Sequence, residues 1–286
     1  MNQFHHTNTY KLLGLSVSCD ILLQAPDYGP ISNCADVMIH KSNQKLLLPA
    51  PKNILTLNLD IPSVAQFQIQ AGKKITYIPY DDATEDDLRL YLMGSCMGAL
   101  LQQRGLIVLH GNAVTWDNQT CHIYMGNQGA GKSTTAAWHY QRGASIVADD
   151  ICAILFNSKG CPFVIPSFPQ LKLWQASADL LEISTASLKR VRAQNDKFML
   201  PIASNRFAKE PCELKLIFEI NQQEHTQKQI VGLEKLLKLQ QHSYRYYFLS
   251  QMGLEYDYLK QLMTLASQVA VTQMPRINFE DTYVKQ

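Results

Sequence analysis

The stretch Gly126-Asn127-Gln128-Gly129-Ala130-Gly131-Lys132-Ser133-Thr134 follows directly on the apolar run His122-Ile123-Tyr124-Met125. It reads G-x-x-x-x-G-K-S, and its order of strand, glycine loop and helix is the one a polyphosphate-binding loop requires. Glycines let successive backbone N–H groups turn inward without interference from a Cβ atom. Lys132 is placed to reach β- and γ-phosphates, and the Ser133 hydroxyl to ligate Mg²⁺. The helix that follows, 135–141 with a stop at Arg142-Gly143, points its positive dipole end at the same anion. The sequence therefore predicts an α/β fold with a nucleotide-binding loop over residues 126–134.

Working outward, the chain has the balance of an ordinary globular protein. Its 286 residues, 46% hydrophobic and 17% charged, can bury a full core in one large domain or two modest ones. A net charge of +2 argues against a dedicated nucleic-acid surface. The seven cysteines (Cys19, Cys34, Cys96, Cys121, Cys152, Cys161, Cys212) are scattered and never spaced C-x-x-C. That favours free thiols in a reducing compartment over disulfides or a zinc site. The start, Met1-Asn2-Gln3-Phe4-His5-His6, lacks the basic and apolar regions of a signal peptide, and His5-His6 reads as a polar terminus rather than a metal site. The apolar run 12–23 is interrupted by Ser16, Ser18 and Asp20, and no other approaches the length of a membrane helix. The expectation is a cytoplasmic protein with neither nucleic acid nor membrane as partner.

Residues 1–85 carry short apolar or alternating runs at 12–17, 35–39, 45–48, 54–59, 65–69 and 74–78, with breaks at Pro26, Gly29-Pro30, 49–51, Pro62 and Gly72. They predict a small β-rich N-terminal domain. Residues 86–286 form the second domain. The acids at 81–87 complement the dipole of a helix over 88–103. A strand over 106–110 and a hairpin of 113–116 with 121–125 lead into the glycine loop. After the loop helix come a strand over 145–148 ending at Asp149-Asp150, a hairpin of 151–156 with 162–165, and a helix over 170–181. A basic segment follows at 184–197, then a strand over 214–220, helices over 230–239 and 254–268, and a strand over 269–272.

A phosphate loop alone does not choose between hydrolase, kinase, switch and motor. In a right-handed βαβ unit, the strands before and after the loop helix are parallel and end on the same sheet edge. That places Asp149-Asp150 beside Lys132 and Ser133, where open α/β sheets bind ligands. Adjacent residues on an extended segment point to opposite sides, so one carboxylate can face the metal and the other an incoming hydroxyl. No N-K-x-D motif for a guanine base occurs, and no second ATPase signature.

The blocks Leu109-His110-Gly111, 126–134 and 142–150 (Arg142-Gly143-Ala144-Ser145-Ile146-Val147-Ala148-Asp149-Asp150) resemble the catalytic domain of bacterial HPr kinase/phosphorylase. Leu92-Met93-Gly94-Ser95, 100–105 (Leu100-Leu101-Gln102-Gln103-Arg104-Gly105) and 169–174 (Pro169-Gln170-Leu171-Lys172-Leu173-Trp174) are similar to the HPr-kinase-related serine kinases of lasso-peptide and similar biosynthetic pathways. The resemblance implies a P-loop kinase domain of the HPr-kinase type, with ATP and Mg²⁺ as cofactors. It further implies transfer of the γ-phosphoryl group to a serine hydroxyl of a peptide or small protein, a biosynthetic precursor peptide. Asp150 matches the proton acceptor and His110 a histidine at the transferred phosphoryl group; Lys132 and Asp149 complete the catalytic set, with Ser133 and Asp149 at the metal. The family's downstream Glu-x-Arg-Gly signature does not occur here, and Arg192, Arg206 and Lys197 are candidates for its later cation. Family members form homo-oligomers, an expectation this chain's residues leave open. The competing expectation is a nucleotide-dependent peptide-binding module that transfers nothing.

Overall fold

The structure, a computed structural model, describes residues 8–23, 35–44, 46, 55–192 and 194–277. His5-His6, Cys34, the breaks at Pro26, Gly29-Pro30 and 49–51, and all but Leu46 of the strand expected over 45–48 lie outside the described residues. The chain is a mixed α/β protein whose described residues group into two units, Met1–Val108 with Arg245–Leu259, and Leu109–Tyr244 with Lys260–Gln286.

In the first unit β1 (Asn8–Leu12), β2 (Leu15–Cys19), β3 (Val37–Lys41), β4 (Thr56–Ile61), β5 (Ala65–Gln70) and β6 (Lys74–Pro79) form one sheet in the order β1-β2-β3-β6-β5-β4. Alternation builds its core: Ala65, Phe67 and Ile69 on β5 are fully buried on one face. The strand expected over 12–17 is instead a hairpin. Leu13 and Gly14 both take positive φ (51° and 75°), the backbone of a two-residue turn whose twist matches the flanking strands. The expected helix over 88–103 is α1 (Glu85–Tyr91), a π-helical turn Leu92–Cys96 and α2 (Met97–Gln103). Thr84 caps α1 by accepting from the Asp87 amide at 3.1 Å, and Glu85, Asp86 and Asp87 fill the first turn. Gln103 ties α2 to the sheet by donating to Ile69 O (3.0 Å) and accepting from the Gly72 amide (2.8 Å).

The second unit runs β7 (Ile107–Thr115), β8 (Thr120–Gly126), α3 (Lys132–Gln141), β9 (Ser145–Phe156), β10 (Pro162–Ile165), β11 (Gln170–Trp174), α4 (Gln175–Leu180), β12 (Lys189–Arg190), β13 (Lys197–Pro201), β14 (Cys212–Ile220), β15 (Lys228–Ile230) and α5 (Gly232–Gln241). The chain then returns to the first unit with α6 (Tyr247–Met252). The helix α7 (Glu255–Gln268) leads to β16 (Ala270–Met274). The main sheet has the order β10-β9-β7-β8-β14-β16-β15, and β10 also pairs with β14.

Three expectations are corrected here. The strand over 106–110 and the first arm of the hairpin are one strand, β7. Residues 145–156 are one strand, β9, that continues through the Asp149-Asp150 pair. The expected helix over 170–181 begins as a strand: Leu171 and Leu173 are buried while Trp174 is exposed, a period of two that pairs β11 with β13 before α4 starts. Because β7 lies between β8 and β9, the strands flanking the loop helix are not neighbours. They still run the same way, since β8 is parallel to β14 and β10 is antiparallel to both β14 and β9. The core under α3 comes from Ala136 and Ala137, small enough for close approach, against Val114, Ile146, Leu171 and Leu173. Six cysteines among the described residues are free thiols, and no helix among those residues is long and apolar enough to cross a membrane.

Candidate functional site

The glycine loop leaves β8 at Gly126 and enters α3 at Lys132. Gly126 has φ +154°, and a Cβ there would sit 2.7 Å from the carbonyl oxygen of Ile220 on β14, so only glycine fits. Gly129 and Gly131 take φ of +80° and +105°, turning the loop toward the helix. Ala130 is buried and donates its amide to Asn127 O at 3.1 Å, while Asn127, Gln128 and Gly129 are exposed. Lys132 folds back into the loop, donating from Nζ to Gly126 O at 2.8 Å and to Asn127 O at 3.1 Å. Burial pulls its pKa down, against the opposing pull of Asp150 and Asp149. Ser133 is half-buried at the first turn of α3, and Thr134 shares a hydrogen bond with Ser177 of α4 (2.8 Å between hydroxyl oxygens).

The antiparallel register of β7 on β8 pairs Gly111 with Met125, so His110 comes opposite the point where the loop begins. From β9, Asp149 and Asp150 point apart. Asp149 is 6% exposed and anchored: its Oδ1 accepts from Asn112 Nδ2 at 2.6 Å and its Oδ2 from the Lys172 amide at 3.0 Å. Its own amide donates to Ser167 Oγ at 3.1 Å. Burial raises its pKa to about 6. Asp150 has φ +70°, a left-handed kink inside a strand. Its Oδ1 lies 3.4 Å from His110 Nδ1 and its Oδ2 3.4 Å from Lys172 Nζ. Burial alone would raise the Asp150 carboxyl, but Lys172, His110 and Lys197 outweigh it and hold it at about 2. Lys172 stays charged for the reciprocal reason: its desolvation is outweighed by Asp150 and Asp149. His110, 41% exposed in its side chain and stacked on Tyr244 with ring centres 5.8 Å apart, is pushed down by loss of water against the pull of Asp150.

The structure thus brings His110 and Lys172 to the Asp150 carboxylate, leaves Lys132 bonded within the glycine loop, and anchors Asp149 on Asn112 and the Lys172 amide. Sequence reasoning assigned no role to Lys172, Asn112 or Ser167. Lys172 carried a signal, since a cation between Leu171 and Leu173 in an alternating run faces away from the core. Among the three candidate cations, Lys197 acts on both aspartates and lies 5.6 Å above the Trp174 ring. Arg206 is committed to the carbonyls of Tyr140 and Ala144, both at 2.6 Å, and Arg192 lies in the segment between β12 and β13. Among the described residues, no group of three or more His, Cys, Asp and Glu side chains could hold a metal ion. Ser133 and Asp149 offer hydroxyl and carboxylate oxygen of the kind Mg²⁺ takes, and each Asp149 oxygen already accepts one hydrogen bond, from Asn112 and from the Lys172 amide.

No protein-family model and no curated protein sequence matches the chain. Among solved structures, it is similar to an HPr(Ser) kinase/phosphatase from Coxiella burnetii, over 62% of this chain and 90% of that one, at 10% identity and a TM-score of 0.31.

Proposed function

We propose that this chain is an ATP- and Mg²⁺-dependent phosphotransferase of the HPr-kinase type, which transfers the γ-phosphoryl group to a serine hydroxyl of a peptide or small protein. The observation that carries the reading is Asp150: a carboxylate on a left-handed kink, bracketed by His110 and Lys172 and acting on the charge of Lys132 in the glycine loop. A strained backbone at a non-glycine residue inside a strand points to a site where side-chain placement outweighs local comfort. In this reading the loop amides and Lys132 hold the β- and γ-phosphates, with Lys132 giving up its bonds to Gly126 and Asn127. Mg²⁺, held by Ser133 and Asp149, would neutralise phosphate charge. Asp150 takes the proton of the acceptor hydroxyl as its oxygen bonds to the γ-phosphorus and the bond to the departing ADP oxygen breaks. His110 and Lys172 stand on either side of the base and stabilise charge on the phosphoryl oxygens. The acceptor class is a biosynthetic precursor peptide met in the cytoplasm, with no nucleic acid or membrane involved.

Mass spectrometry of serine-containing precursor peptides, incubated with the protein, ATP and Mg²⁺, tests this. Gain of one phosphate on a serine is the expected result. Tight ATP binding without phosphate on any peptide, and without release of phosphate to water, would replace the reading with that of a nucleotide-dependent binding module.

A further inference from the structure

One buried charged cluster in the second unit has no part in the chemistry just described. Glu219, near the end of β14, is 4% exposed. Its Oε1 accepts from Lys238 Nζ at 2.6 Å and lies 3.2 Å from His242 Nε2, and its Oε2 accepts from Gln273 Nε2 at 2.5 Å. A carboxylate this deep needs such partners, and removing it strands an ammonium and two polar side chains. Gln273 lies on β16, while Lys238 and His242 lie in and just after α5, and the segment these two hold is the one that touches the site. His242 O accepts the backbone N–H of His110 at 2.8 Å. Ser243 bridges Leu109, and Tyr244 stacks on the His110 ring. One residue earlier, Gln241 Nε2 donates to Asn127 Oδ1 in the glycine loop at 3.2 Å. On β14 itself, the residue after Glu219 is Ile220, whose carbonyl oxygen presses on Gly126.

We infer that Glu219 is a positioning residue for the reaction: by clamping Lys238 and His242 it fixes segment 241–244, which sets His110 and the start of the glycine loop relative to each other. The assignment rests on the phosphotransfer reading for its functional meaning, but its structural content stands apart from it. Glu219 touches neither loop nor His110 directly; its effect passes through the His242 carbonyl and the Gln241 amide. Misplacing a catalytic group by about 1 Å through a remote change costs up to roughly a hundredfold in rate. Loss of Glu219 therefore falls on turnover more than on nucleotide affinity, because Lys132 and the loop amides remain.

The test uses the full chain, with hydrogen exchange at the His110 amide and release of phosphate from ATP–Mg²⁺ to water as the two readouts. Glu219→Gln is expected to speed exchange at His110 by about tenfold or more, and to lower turnover about tenfold with the KM for ATP within about threefold. His242→Ala behaves the same way, and His242→Gln, which keeps a donor for Glu219, restores both readouts toward the parent protein. Should Glu219→Gln fail to fold, the His242 pair carries the test. Unchanged protection at His110 in Glu219→Gln or His242→Ala overturns the inference, as does equal loss in His242→Ala and His242→Gln. If the parent protein neither phosphorylates a peptide serine nor releases phosphate to water, the phosphotransfer reading fails, while the exchange readout still decides whether Glu219 holds His110.

Discussion

Gly126 shows how much one residue settles here. The sequence marks it as the first glycine of a phosphate loop, and the structure adds the neighbour that makes it obligatory, the Ile220 carbonyl oxygen 2.7 Å from any Cβ. Gly126→Ala is expected to destabilise the protein by about 1–3 kcal/mol and to weaken ATP binding, read by urea unfolding and calorimetry. An unchanged midpoint would show that β14 yields to the added methyl. The glycine loop at 126–134 and the Asp149-Asp150 pair stood out in local order, while His110 was singled out only through the family resemblance. Asn112, Ser167 and Glu219 were not singled out. Their importance comes from partners 37, 18 and 54 positions away in the chain, and nothing local distinguishes them from other polar residues on strands or, for Ser167, in a loop.

Among the elements, β11 does the most for the site. Its Lys172 donates from the backbone to Asp149 and from the side chain to Asp150, so a single residue reaches both carboxylates. Reading 170–181 as helix hid this, because the helical stretch Gln175–Leu180 directly follows the strand and no glycine or proline separates them. The alternation of Leu171, Lys172, Leu173 and Trp174 was the surviving signal. Lys172→Met removes the ammonium and leaves the backbone bond. Turnover is expected to fall about ten- to a hundredfold with the fold intact, since hydrogen bonds to charged groups are worth about 1.5–3 kcal/mol. Lys172→Arg should recover part of it in the same kinetic assay, and full turnover in Lys172→Met would remove Lys172 from the site.

For the whole molecule, the mixed α/β class followed from the strand–loop–helix order around residues 126–134, and most strands among the described residues up to 79 followed from periodicity and turn residues. Sheet order did not. That β7 lies between β8 and β9, and that β10 pairs with both β9 and β14, are facts of long-range pairing that strand patterns alone leave undetermined. Acid stability is also a property of the whole second unit, and Glu219 gives it a sign. Burial alone would raise this carboxyl; hydrogen bonds from His242, Lys238 and Gln273 and the Lys238 charge outweigh it and lower it from 4.5 to about 2. A depressed carboxyl stabilises the fold above its ordinary pKa, and the stabilisation is lost as pH falls toward its folded value. Unfolding free energy measured from pH 5 to pH 2 should fall more steeply in the parent protein than in Glu219→Gln; parallel curves would mean the clamp contributes nothing to acid stability.

The central claim is that Asp150 is the base of a phosphoryl transfer, and Asp150→Asn tests it with the least disturbance. Asparagine tolerates the positive φ of 70° that Asp150 adopts, so the kink in β9 persists while the proton acceptor is lost. ATP affinity by calorimetry and phosphate transfer by mass spectrometry are measured on the same preparation. The account predicts affinity within about threefold of the parent protein and transfer lowered by at least about a hundredfold. Transfer at the parent rate in Asp150→Asn, with the protein folded and binding ATP, would contradict it.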